Sequence, residues 1–343
     1  MKNLDKILNK EELLKEDILF LLQLREADKI EMLQKKAEEV RQIYFNDEIH
    51  LRGIIEFSNF CIRDCFYCGL RRSNKKVERF RMSKEEIMVT AKLIYDSDIK
   101  TIVLQSGEDL FYTKEDIAEI ITEIKSQYDV AITLSLGERA FDEYDLWREC
   151  GADRYLLKHE TANRNLYHQI HPYQDFTNRI AHLKYLKNIG FQIGSGNIIG
   201  LPNQTLEDIA DDILLCNKLN VDMASFSPFI HADNTPFANV ENCDMQLLLN
   251  TMAVARLVLK NAHIPATTAL ATLDEEGREK GILAGANVVM PSFTPTPYRG
   301  NYLIYKDKKC ISENPKQCMP CLDLRLMSIG VKVSHSHGHS LKT

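Results

Sequence analysis

Three cysteines stand close together in Cys61-Ile62-Arg63-Asp64-Cys65-Phe66-Tyr67-Cys68, spaced C-x3-C-x2-C, with the aromatic Tyr67 directly before the last. Thiolates at this spacing can wrap one face of a metal centre. A four-iron cluster normally takes four such ligands, so three leave one iron open. An open metal position is what metal-assisted chemistry requires. The same trio could hold a structural zinc ion, or be unrelated buried thiols. A second group, Cys310-x7-Cys318-x2-Cys321, suits a second iron–sulfur cluster ([2Fe-2S] or [4Fe-4S]) or a zinc site. Cys150, Cys216 and Cys243 stand alone and read as packing residues. The histidines of Ser334-His335-Ser336-His337-Gly338-His339-Ser340 could catch a metal, but a short unpacked terminus is the expectation.

Composition narrows the function classes. A chain of 343 residues with 44% hydrophobic residues can fill a substantial core. A net charge of −6 over 27% charged residues argues against a dedicated nucleic-acid binder, which is usually basic. No apolar run is long enough to cross a bilayer, and the basic start leads into acidic sequence rather than a signal core. Nine cysteines without a secretory signal point to thiol chemistry in a reducing compartment, the cytoplasm.

The elements that must position these residues follow from periodicity. Residues 4–44 carry apolar positions at helical spacing and predict continuous helix, a cap over residues 1–46. Across 47–300, short β-rich runs alternate with longer amphipathic ones, which predicts a parallel sheet with helical crossovers. The predicted strands are 50–57, 101–105, 131–136, 154–159, 192–198, 223–229, 265–269 and 287–291. The predicted helices are 84–95, 114–126, 143–150, 176–188, 206–218, 245–259 and 278–284. Ser83 and Thr113, each followed by acidic residues, are expected N-caps. Eight strand–helix units over about 240 residues match a full, closed (β/α)8 TIM-type barrel. An incomplete, six-stranded barrel is the alternative. Residues 301–343 are a C-terminal extension carrying the second cysteine group.

In such barrels the reactive groups gather where strands end and loops begin. The cysteine loop follows the first strand. Gln105, Ser106, Gly107 and Glu108 end the second, and Thr133, Ser135 and Glu138 the third. Strand alternation puts Arg154, Leu156 and Lys158 on one face of the fourth. An inward Arg and Lys need anions, from Asp153, Glu160 or a bound ligand, and Arg179 would add a further cation. His159 and His168 read as hydrogen-bonding residues. Gly194-Ser195-Gly196 lacks dinucleotide spacing, so its glycines serve either a close ligand or tight packing. Met223 and Met290 read as core, while the paired hydroxyls of Thr267 and Thr268 suit a hydrogen-bonded ligand.

The loop from Cys61 to Cys68 resembles the signature of the radical S-adenosylmethionine (SAM) enzymes. There the fourth iron is chelated by SAM, and the reduced cluster yields a 5'-deoxyadenosyl radical. More closely, Ile54-Ile55-Glu56-Phe57-Ser58-Asn59, Gly69-Leu70-Arg71-Arg72, Leu104-Gln105-Ser106-Gly107-Glu108-Asp109, His159-Glu160-Thr161-Ala162-Asn163 and Pro295-Thr296-Pro297-Tyr298-Arg299 resemble the HydE family. These are radical SAM maturases of [FeFe]-hydrogenase, and the likeness runs over residues 47–321. It implies a full barrel with a long cavity and a [4Fe-4S] cluster on Cys61, Cys65 and Cys68. It also implies SAM held by Tyr67, Gln105, Ser106, Glu108, Lys158, Glu160 and Arg179. Thr133, Ser135, Arg154, Met223, Thr267, Thr268 and Tyr302 would line the substrate cavity. Cys310, Cys318 and Cys321 would match an auxiliary cluster not needed for activity.

By the same resemblance, a low-potential electron donor reduces the cluster. The substrate is a small organometallic iron compound from HydG, attacked at the sulfur of its iron-bound cysteine, and the product passes to HydF. Lys158 departs from the arginine expected there and loses the bidentate fork. Two other functions stay open. One is a methylornithine synthase-like mutase acting on lysine, the other a non-catalytic iron–sulfur scaffold.

Overall fold

A computed structural model describes residues 3–312 and 315–342, with the side chains of 315–318 outside that description. Among the described residues ten strands run in chain order: β1 (Glu48–Leu51), β2 (Gly53–Ser58), β3 (Thr101–Ser106), β4 (Ala131–Ser135), β5 (Arg154–Leu156), β6 (Gln192–Ile199), β7 (Met223–Pro228), β8 (Pro265–Ala266), β9 (Val288–Val289) and β10 (Lys332–Ser334). The helices ahead of the strands are α1 (Leu4–Leu8), α2 (Lys15–Leu22) and α3 (Ala27–Phe45). Between strands lie α4 (Lys84–Asp96), α5 (Lys114–Gln127), α6 (Phe141–Glu149), α7 (Arg164–Ile170), α8 (Phe176–Asn188), α9 (Leu206–Lys218), α10 (Met245–Leu259), α11 (Thr268–Leu273) and α12 (Gly277–Leu283). Two more, α13 (Thr296–Arg299) and α14 (Pro315–Ser328), follow β9.

Strands β2 to β7 form one parallel sheet in sequence order, and β10, β1, β9 and β8 form a second. Parallel single-residue bridges join the sheets at both edges, Ile54 to Ser292 and Met223 to His263. The alternation of strand and helix produces this α/β arrangement because each crossover helix buries one apolar stripe on the sheet. In α4 that stripe is Ile87, Ala91 and Ile94, and Ile94 presses on Gly53, where a Cβ would lie 2.7 Å from it. Burying one such isoleucine contributes about 1.5–3 kcal/mol. The expected N-caps are present. Ser83 Oγ accepts from the Glu86 N–H at 3.2 Å, and Thr113 Oγ1 from the Asp116 N–H at 3.1 Å. No helix among the described residues is long and apolar enough to cross a membrane.

Three expectations need correction. The continuous helix over 4–44 is three helices: Asn9 ends α1, its side-chain amide donating to Asp5 O at 2.8 Å, and Asp17 starts α2 by accepting from the Leu14 N–H at 3.0 Å. The first predicted strand splits at buried Arg52, so that β1 pairs with β9 and β10 while β2 pairs with β3. The histidine-rich terminus is packed, not loose. His337 O accepts from Arg154 at 2.7 Å and from Thr101 Oγ1 at 2.9 Å, while Ser340 Oγ donates to Asp222 at 2.5 Å. The tail thereby covers the starts of β3 and β5 and the approach to β7.

Candidate active site

The cysteine loop leaves the end of β2 and is clamped by its own side chains. Asn59 donates to Glu78 O at 2.8 Å and to Asn301 O at 2.7 Å, and accepts from the Phe80 N–H at 2.8 Å. The Arg79 guanidinium binds the carbonyls of Asn59, Leu70 and Arg71 together. Asp64 accepts from Arg71 Nε at 2.8 Å and Ser73 Oγ at 2.7 Å. At Gly107 any side chain would collide with Phe60 O and the Cys61 side chain. That glycine therefore brings the end of β3 against the cysteine loop.

Three half-buried, unpaired thiols result. Burial, and then the charges of Cys68 and Cys61, push the Cys65 thiol up. Burial and the charge of Cys61 push Cys68 up to about 12. Thiols in this state ionise only when a cation repays the charge, and that is how metal ligands behave. Among the described residues, no three His, Cys, Asp or Glu side chains lie close enough to share one ion. Three thiol donors without a fourth fit an iron–sulfur cluster with one iron left open.

A cavity of about 350 Å³ opens beside Cys68 and Tyr67. Its wall includes Gln105, Lys158, Glu160, Thr267, Thr268 and Met290, together with Glu56 and Lys308. Lys158 and Glu160 pair at 3.1 Å. Glu160 holds a left-handed φ of 65°. For a non-glycine residue this costs roughly 1–3 kcal/mol. Hydrogen bonds from its N–H to Gly196 O at 2.9 Å and from the Ile198 N–H to its carbonyl at 3.1 Å keep it there. Thr267 Oγ1 is buried without a hydrogen-bond partner among the described residues and faces this space, so it has a bond left to offer.

The other expected site residues take different positions. Glu108 and Glu138 are buried beside the loop, bonded to Arg63 at 2.8 and 3.2 Å. Arg179 donates to Glu138 at 2.7 Å, to Lys158 O at 3.0 Å and to Gln174 at 3.0 Å. Ser106 Oγ turns to Gly107 O at 2.6 Å. Tyr302 accepts from Gln105 at 3.3 Å, behind the cavity wall. Thr133 is buried, its hydroxyl without a hydrogen-bond partner among the described residues, and Ser135 pairs in register with Gln105.

Arg154 opens β5 and Lys158 lies past its end at Leu156, so that four residues of nearly extended chain put them up to roughly 13 Å apart. Arg154 bonds Gln192 at 3.1 Å and the tail rather than the cavity. Met223 Sδ accepts from Arg52 at 2.6 Å. His159 Nδ1 lies 3.0 Å from Ser195 Oγ, a hydrogen-bonding role as expected. Packing accounts for the glycines of β6, since side chains at Gly194 and Gly196 would meet Met223 and the Ser225 backbone. In the second cysteine group, Cys310 is half-buried with Arg278 at 3.7 Å and Cys321 is exposed. The Cys318 side chain lies outside the described residues.

Several residues gave no local signal. Glu56 and Lys308 pair at 2.5 Å inside the cavity wall although 252 positions separate them. His171 and Gln174 reach Cys65 Sγ from the turn between α7 and α8.

Comparison with known proteins agrees with this geometry. The model of the Radical SAM superfamily matches residues 55–216. The [FeFe] hydrogenase maturase subunit HydE of Thermotoga maritima is 46% identical over 308 residues, 90% of this chain and 88% of that protein. The crystal structure of methylornithine synthase (PylB) is similar with a TM-score of 0.84 at 23% identity, covering 96% of this chain and 97% of that one. That of the FeFe-hydrogenase maturase HydG from Carboxydothermus hydrogenoformans gives 0.83 at 22% identity, over 97% and 79%. At such identities the two structures speak for the fold. The identity to the Thermotoga protein across nearly the whole chain goes further, and the chain belongs to the HydE family of radical SAM enzymes.

Proposed function

We propose that this enzyme binds a [4Fe-4S] cluster through Cys61, Cys65 and Cys68 and acts in assembling the diiron unit of [FeFe]-hydrogenase. The substrate is a small organometallic iron compound delivered by a HydG-type maturase, and a HydF-type protein receives the product. One observation carries the reading: Cys68 and Tyr67 share a single cavity with Lys158, Glu160, Thr267 and Thr268. When bound, the cluster and SAM supply a 5'-deoxyadenosyl radical, made with one electron from a low-potential donor.

The chain's own part is binding, orientation and exclusion of water. Gln105, Lys158 and Glu160 line the cavity and offer hydrogen bonds and charge to the polar ends of SAM, with Tyr67 beside them. Arg179, Ser106 and Glu108 support this end of the site from the surrounding network. Thr267 and Thr268 offer hydroxyls further along the wall. Thr133, Ser135, Met223 and Tyr302 belong, in this proposal, to the deeper interior that a longer substrate path would use, while Arg154 anchors the tail. Enclosure matters because a primary carbon radical reacts with whatever it meets. Fixing one near neighbour can lower a barrier by about 7–11 kcal/mol.

The proposal includes a closed (β/α)8 barrel, supported by the bridges Ile54–Ser292 and Met223–His263 between the two sheets. A helical cap to residue 46, a catalytic body over 47–300 and a closing segment over 301–343 complete it. A second iron–sulfur cluster on Cys310, Cys318 and Cys321 rests on spacing alone. Ligation by cysteines supports, in this reading, a reducing compartment, the cytoplasm.

The test is an anaerobic assay of the reconstituted, reduced protein with SAM, given the HydG product in one arm and lysine in the other. The expected result is 5'-deoxyadenosine with consumption of the organometallic compound. Methylornithine in the lysine arm would replace the maturase reading with the mutase. No 5'-deoxyadenosine from an intact cluster would leave a scaffold.

A further inference from the structure

Cys65 differs from the other two cysteines of its loop in what surrounds its sulfur. His171, at the end of α7, has Nδ1 3.2 Å from Cys65 Sγ and Nε2 3.4 Å from Tyr67 Oη. Gln174, three residues on, has its amide nitrogen 3.6 Å from the same sulfur. Both side chains belong to buried residues. Neither lines the cavity, so neither is placed to touch substrate. Among the described residues, no side-chain donor reaches Cys61 or Cys68 in this way.

The orientation of both groups is determined by their neighbours. The Arg179 guanidinium donates to Gln174 Oε1 at 3.0 Å, which turns the amide NH2 toward the sulfur. The imidazole is held by stacking on Tyr167, ring centroids 4.5 Å apart, and edge-on by Tyr67 at 5.4 Å. A neutral imidazole has one N–H to give. A Cys65 thiol could donate to Nδ1, but a ligating thiolate can only accept. Gln174 Nε2 also lies 3.2 Å from Nδ1, which can accept from it while Cys65 is a thiol. Ligation removes the thiol proton and favours the tautomer with Nδ1–H toward sulfur, both nitrogens then donating to it and Nε2 accepting from the Tyr67 hydroxyl.

We propose that His171 and Gln174 are positioning residues that hydrogen-bond the Cys65 thiolate and raise the reduction potential of the cluster it holds. The inference rests on the ligation by Cys65 proposed above. Taking one electron from a low-potential donor lowers the cluster core from 2+ to 1+ and increases the negative charge on its sulfurs. Donors aimed at a sulfur favour that reduced form, and hydrogen bonds to sulfur are a recognised determinant of cluster potential. Burial strengthens the effect, because low local dielectric makes each hydrogen bond electrostatically stronger.

The test is a redox titration followed by electron paramagnetic resonance (EPR) on the reconstituted full chain without SAM. It compares wild type with His171→Leu, His171→Asn, Gln174→Leu and the double Leu variant. His171→Leu and Gln174→Leu should each shift the midpoint to more negative potential at unchanged iron content, and the double variant further. His171→Asn, whose amide can donate from the place of Nδ1, should return it toward wild type. Leucine variants with full iron that titrate at the wild-type potential would overturn the proposal. So would an asparagine variant that shifts as far as the leucine one. Should His171→Leu hold no cluster, Gln174→Leu decides alone. A Cys65→Ala protein that keeps its full iron would instead refute the ligation, leaving a result distinct from either.

Discussion

The two cysteine groups have similar spacing and very different surroundings. Cys61, Cys65 and Cys68 sit in a loop clamped by Asn59 and Arg79 and backed by the buried carboxylates Glu108 and Glu138. One of the three sulfurs, that of Cys65, also faces the ring nitrogen of His171 and the amide nitrogen of Gln174. Cys310 is half-buried with the Arg278 guanidinium 3.7 Å from its sulfur, and Cys321 is exposed. Thiols become a reactive centre through what shields and charges them, and spacing alone does not supply that.

Substitutions should separate the groups in graded fashion. The largest effect is expected from Cys65→Ala, which should reduce SAM-dependent 5'-deoxyadenosine formation to background and remove the iron of the first cluster, read by chromatography and iron analysis. The leucine variant of His171 falls between: cluster present, potential lowered. The smallest effect belongs to the pair Cys310→Ser and Cys321→Ser. SAM cleavage should stay within about two-fold of wild type and stability within about 0.5 kcal/mol, as for other surface changes. Loss of a second set of irons in that variant would support the auxiliary cluster. Loss of SAM cleavage would erase the contrast between the groups.

Much of this was legible from residue order, because the informative signals were local. Helices α8, α9 and α10 run from Phe176 to Asn188, Leu206 to Lys218 and Met245 to Leu259, the limits that apolar periodicity predicts. The cysteine trio announces itself within eight residues. What stayed hidden depends on distance along the chain or along a strand. Alternation put Arg154 and Lys158 on one face of a strand that in fact ends at Leu156, and periodicity does not say that Lys158 lies by the cavity and Arg154 under the tail. The terminus looked loose because its residues are polar. It packs because its carbonyls satisfy buried donors on Arg154 and Thr101. Glu56 with Lys308, and His171 with Cys65, meet only after the chain has folded.

The claim beneath all of this is that one iron of the cluster held by the first cysteine group stays free to take SAM. EPR of the anaerobically reduced protein, recorded before and after SAM is added, reads that corner directly. The account predicts a changed spectrum on addition, absent in Cys65→Ala. A spectrum unmoved by saturating SAM, in protein carrying a full four-iron cluster, would contradict it.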